Sequence, residues 1–121
     1  MRDLSKYHST DLGINSEKLF EEISKHSNTI LVDLGVRGGV SSELMLLDSA
    51  QNNNKVFGVD INWGNWERLN PWVDSHENYT KLTGDSVTIG KQWDKTIGGL
   101  FVDTCHVKEQ VLCELYFWYK H

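Results

Sequence analysis

Residues 29–42, TILVDLGVRGGVSS, decide the fold. Thr29 to Leu34 is a short, nearly continuous apolar and β-branched run. A strand with one wet face alternates apolar and polar residues. A run without that alternation predicts a strand buried on both faces, the habit of parallel sheets covered by helices. Residues 35–39, GVRGG, predict a tight turn. Ser41 or Ser42 can then cap a helix running through Ala50.

The order of strand then helix continues outward. Residues 55–60 (KVFGVD), 79–83 (YTKLT) and 97–103 (IGGLFVD) predict three more strands. Helices are predicted from Asn15 or Ser16 to about His26, from Ser86 to Trp93, and from Val107 to Tyr119. The first carries Leu19, Phe20 and Ile23 as its apolar stripe. The last carries Val111, Leu112, Leu115 and Trp118 on one face. Between Trp63 and Ser75 an aromatic-rich loop holds a short or interrupted helix around Pro71. Strands alternating with helices predict an α/β domain with a mostly parallel sheet and right-handed crossovers. With 121 residues the chain has room for one core, so residues 14–121 form one domain and residues 1–13 a polar arm.

Composition narrows the function. There are 17 acidic and 12 basic residues, a formal charge of −5. That balance argues against a phosphate backbone as the main partner, so no nucleic acid is expected. No apolar run approaches a membrane span, and the polar N-terminus lacks a signal-peptide core, so a cytoplasmic protein away from membranes is expected. Cys105 and Cys113 form no metal or redox motif and read as free thiols.

Ligands of such sheets sit at the carboxyl ends of the strands. There the sequence places Asp33, Gly35, Gly39 and Ser41 after the first strand, and Asp60 and Ile61 after the second. Asp85 and Ser86 follow the third, and Asp103 and His106 the fourth. Glycines let a backbone approach a ligand closely. A carboxylate in the position of Asp60, 25 residues after Gly35, can accept hydrogen bonds from a ribose diol. Arg37 stands where the dinucleotide fingerprint needs its second glycine, which disfavours a nicotinamide cofactor and an NAD-dependent oxidoreductase. Each motif also has a plain structural reading. The turn could be a β-α turn without a ligand, Asp85 and Ser86 a helix cap, and His106 a surface residue.

The segments VDLGVRGGVSS, FGVDINWG, LTGDS and LFVDTCHVKEQVLCELYFW together resemble class I S-adenosylmethionine (SAM)-dependent methyltransferases. They are most similar to the branch of small-molecule O-methyltransferases and cephalosporin-hydroxylase-like proteins (methyltransferase family 24). The resemblance implies a Rossmann-like α/β/α fold with strand order 3-2-1-4, lacking the C-terminal strands of the usual seven-stranded form. It implies that Asp33, Gly35 and Gly39 cradle the methionine of SAM, with Ser41 beside its carboxylate. Asp60 would hold the ribose and Ile61 pack on the adenine, with Asp85 and Ser86 at the adenine edge. Asp103 would lie closest to the transferred methyl, with His106 as a base. A small-molecule acceptor and a homodimer through the strand-four edge are the implied partners.

Cys105 stands where that branch often has a second acidic residue. A neutral thiol is a poor ligand for a hard cation, which weakens the case for a divalent metal. The alternative function is a non-catalytic nucleoside-binding or dimerising module.

Overall fold

A computed structural model of the chain describes residues 3–7, 15–36, 38–63, 69–102, 108–119 and 121. After a 3-10 turn at Ser5–Tyr7 the elements are α1 (Asn15–Ile23), β1 (Ile30–Leu34), α2 (Val40–Leu46), α3 (Ser49–Asn52) and β2 (Lys55–Asp60). They continue as α4 (Pro71–Asp74), β3 (Tyr79–Thr83), α5 (Ser86–Gln92), β4 (Gly99–Val102) and α6 (Lys108–Tyr119). The four strands form one sheet in the order β3-β2-β1-β4. Every pairing is parallel. This is the parallel α/β sheet the alternating pattern predicts, in the Rossmann-like strand order the resemblance implies.

β1 is central, and Leu31 through Leu34 are all buried. Its period of two sends successive side chains to opposite faces. Leu31 joins Val56, Tyr79, Leu44, Met45, Ile23 and Val73 under α1, α2 and α4. Val32 and Leu34 join Val59, Trp93 and Trp118 under α5 and α6. The two clusters are the two faces of the sheet, so a continuous apolar strand needs no polar side. Asp33 shares the first face with Leu31, directly beneath α2.

Three expectations are corrected. The helix after the glycine turn is not continuous: α2 stops at Leu46 and α3 begins at Ser49. Asp48 and Ser49 lie at the break, residue types that favour helix ends over interiors. The residues read as an arm are not all surface, because Leu4 is only 4% exposed and joins the core. The predicted apolar stripe of α6 holds at Trp118 and fails at two of its leucines. Leu112 and Leu115 are exposed, while Glu114 and Trp118, one turn apart, are buried.

Polar chemistry turns α6 that way. Ser86 Oγ donates to Glu114 Oε2. The Trp118 indole N–H donates to the Ser86 carbonyl over 2.8 Å. Gly90 makes room for the indole, since a Cβ there would stand 2.6 Å from Trp118 Nε1. A buried carboxylate with a hydrogen-bond donor at hand is tolerable where an unpartnered one is not.

Candidate functional site

The site is built where β1, β2 and β3 end. Gly35 follows β1 with φ 82°, and Gly39 precedes α2 with φ 96°, both in the left-handed region. That conformation is open to glycine and strained for other residues. The Gly35 amide donates to the Val59 carbonyl over 2.8 Å, extending the β1–β2 ladder by one step. The glycine turn therefore lies alongside the end of β2, where Asp60 stands. Gly39 has a packing reason as well: a Cβ there would meet Leu69 Cδ1 at 2.7 Å.

Asp33 is fully buried. Its Oδ2 accepts from Ser41 Oγ at 2.6 Å and from Ser42 Oγ at 2.7 Å. The expected serine cap is thus corrected. Gly39 occupies the N-cap position without a side-chain bond, and both serines sit inside the first turn of α2. Their hydroxyls are drawn to a buried carboxylate, and a bond to a charged acceptor is stronger than one to a neutral helix amide. Ser41 is accordingly engaged with Asp33.

Ser42 Oγ also lies 2.8 Å from the Tyr79 hydroxyl. A serine has one proton to give, and Ser42 gives it to Asp33. The Tyr79 hydroxyl is therefore the donor in this contact. The result is an ordered chain from β3 through α2 to β1. It crosses β2 at Gly58, the register partner of Asp33. A Cβ on Gly58 would lie 1.9 Å from the Tyr79 hydroxyl oxygen. Burial raises the Tyr79 pKa above the ordinary tyrosine value, and the carboxylates of Asp33, Asp60 and Asp74 add to the rise. Its hydroxyl keeps its proton across the physiological range. Sequence inspection missed Ser42, Gly58 and Tyr79 as partners; the only hint was a glycine inside a strand, which signals close approach by something.

Beyond β2, Asp60 Oδ1 accepts from the Asn62 amide at 3.1 Å, tightening the chain past the strand. Ile61, between them, is 72% exposed. An apolar side chain in solvent beside a carboxylate offers an acceptor for hydroxyls and a flat apolar contact one residue apart. Trp63 closes this corner. Its indole N–H reaches the Leu82 carbonyl at 3.3 Å. Its ring meets the Tyr79 ring edge-on, centroids 6.5 Å apart. Lys81 Nζ lies 5.6 Å from its centroid.

Beyond β3, Asp85 caps α5, accepting from the Thr88 amide at 3.1 Å and the Thr88 hydroxyl at 3.0 Å. Ser86 is buried and its hydroxyl donates to Glu114. Asp85 has a helix-end role, while the Ser86 side chain ties α5 to α6. Asp103 and His106, and with them Arg37 and Cys105, lie outside the described residues. So the described part of the site joins Asp33, Gly35, Gly39, Ser41, Asp60 and Ile61 along one sheet edge.

A family model described as a methyltransferase domain matches residues 32–121. The chain belongs to this methyltransferase family. The match begins in β1 and takes in every strand end discussed above. No curated protein matches the methyltransferase domain in sequence. Among solved structures it is similar to the crystal structure of a Plasmodium falciparum protein named as a ribosomal RNA methyltransferase. The TM-score is 0.52 at 20% identity, covering 90% of this chain and 68% of that one. At that identity the likeness is one of fold.

The neighbour also corrects an expectation. A net charge of −5 argues against nucleic acid as the main partner. A protein of this fold is named for ribosomal RNA. Whole-chain charge is a sum, and RNA contact needs only a local basic surface, so the exclusion does not stand. As to membranes, no helix among the described residues is long and apolar enough to cross one.

Proposed function

We propose that this methyltransferase domain binds SAM along the carboxyl edge of β1, β2 and β3. The observation that carries the reading is the placement of the Gly35 turn beside Asp60, fixed by the Gly35–Val59 bond of 2.8 Å. The residues suit the two halves of the molecule. Asp60 accepts the ribose hydroxyls, and exposed Ile61 covers one face of the adenine. Gly35 and Gly39 keep the backbone bare next to the methionine chain. Asp33 and Ser41 hold that turn in shape from beneath. Asp85 and Ser86 bound the adenine edge through the start of α5.

SAM, when bound, supplies an electrophilic methyl on a sulfonium. The chain's task is to orient the acceptor in line with it and to take up the acceptor's proton. Asp103 and His106, which follow β4, are the proposed polar wall and base. By resemblance to the small-molecule O-methyltransferases the accepting atom is an oxygen, on a small molecule or sugar.

Calorimetric titration with S-adenosylhomocysteine tests the cofactor assignment. Binding to the wild type and at least a tenfold loss in Asp60→Ala are expected, on the scale of a lost bond between a charged acceptor and hydroxyls. No binding, or equal binding by both proteins, overturns it. Transfer of labelled methyl to a panel of hydroxylated small molecules, sugars and RNA identifies the acceptor.

A further inference from the structure

We propose that Tyr79 is a positioning residue for the methionine half of the cofactor site, acting through Ser42 and Asp33. This rests on the SAM reading and deepens it. Tyr79 lies at the start of β3, at the far end of that strand from the proposed ligand. Its ring crosses the bare Gly58 and its hydroxyl lies 2.8 Å from Ser42 Oγ. Ser42 donates onward to Asp33 Oδ2 at 2.7 Å, where Ser41 also donates at 2.6 Å. Asp33 and Ser41 bracket the glycine turn, one at the last steps of β1 and one in the first turn of α2. Each link has a single direction of donation. The chain therefore fixes how far α2 stands from β1, and with it the opening of the turn between them.

The Tyr79 ring has a separate contact. It meets Trp63 edge-on, in the loop that follows Asp60 and Ile61. The hydroxyl thus serves the methionine side and the ring the adenosine side. Phenylalanine at this position keeps the ring and removes the hydroxyl, so the two can be told apart. Ser42 would lose its donor inside a buried site, and the strain falls on the Asp33–Ser41 bracket.

The experiment measures two ligands by calorimetry. S-adenosylhomocysteine carries the amino-acid chain; 5′-methylthioadenosine carries only the nucleoside. In Tyr79→Phe the affinity for S-adenosylhomocysteine is expected to fall about fivefold to tenfold, the size of one buried hydrogen bond. Affinity for methylthioadenosine is expected to change less than twofold. Ser42→Ala, which leaves the ring in place, should shift the ratio alike, and the double variant should add little further. A general loss of structure would weaken both ligands equally. Equal weakening, or an unchanged ratio in both single variants, overturns the proposal while leaving the cofactor reading intact. A wild type that binds neither ligand overturns the cofactor reading itself, and this inference with it.

Discussion

Gly58 and Tyr79 share a space that admits only one of a methyl group and a phenol. A Cβ on Gly58 would lie 1.9 Å from the hydroxyl oxygen and 2.7 Å from the ring carbon bearing it. Gly58→Ala is therefore expected to destabilise the domain by about 2–3 kcal/mol, the scale of overpacking in a rigid core. Urea unfolding checks it. Combined with Tyr79→Ala, the Gly58 substitution should cost clearly less than alone, because its closest clash has gone and only Val36 Cγ2 at 2.9 Å remains.

The burial of Tyr79 has a pH consequence. Its folded-state pKa is raised, first by desolvation, while the unfolded chain titrates near the ordinary value. The native state then holds a proton that the unfolded state releases. This contribution is fully present below about pH 10 and is lost as pH rises from there toward the folded-state value. The difference in stability between wild type and Tyr79→Phe should be flat from pH 7 to 9. Above about pH 10 it should shrink, at up to about 1.4 kcal/mol per pH unit. Urea midpoints at pH 8 and 11 test this, and a constant difference would contradict it.

α6 separates two kinds of apolar residue. Trp118 is fully buried, and its indole N–H reaches the Ser86 carbonyl at 2.8 Å. Trp118→Ala should cost about 3–5 kcal/mol. Leu112 and Leu115 are exposed. Alanine at either should cost no more than about 0.5 kcal/mol. Thermal unfolding of the three variants gives the ranking.

Asp85 holds the first turn of α5 through its bonds to Thr88. Asp85→Ala should cost about 1 kcal/mol, and Asp85→Asn, which still caps, much less. Titrating both variants with S-adenosylhomocysteine separates capping from ligand contact. A loss of affinity shared by both variants marks contact by the carboxylate. A loss confined to alanine marks the cap.

The sheet was legible because β1 leaves no choice. Leu31, Val32 and Leu34 have to be covered on both faces, and only flanking helices do that. The strand order came from the resemblance to the methyltransferases, not from the pattern of any one strand. What was not legible depended on competition between partners. Ser41 and Ser42 have the right spacing to cap a helix, and nothing in that spacing reveals a buried Asp33 that outbids the helix amides. The stripe on α6 failed in part for a related reason. Counting apolar residues finds Trp118 correctly but adds Leu112 and Leu115, whereas Glu114 and Trp118 find donor and acceptor on Ser86 and that pairing sets the buried face. The carboxylates and glycines at the strand ends were visible as a set. The link from Tyr79 was not, since it spans 37 residues to Ser42 and depends on a side chain that is missing at Gly58.

The pairing of Trp93 with Trp118 gives the second face of the sheet an optical label of its own. Their rings lie 5.1 Å apart and are inclined by 50°. Two indoles at that distance, neither parallel nor perpendicular, couple their transition dipoles and produce a signed couplet in circular dichroism. Trp63 and Trp72 sit apart from that pair, against Tyr79 and His76. Loosening of α5 and α6 can therefore be followed through that couplet, without an added probe.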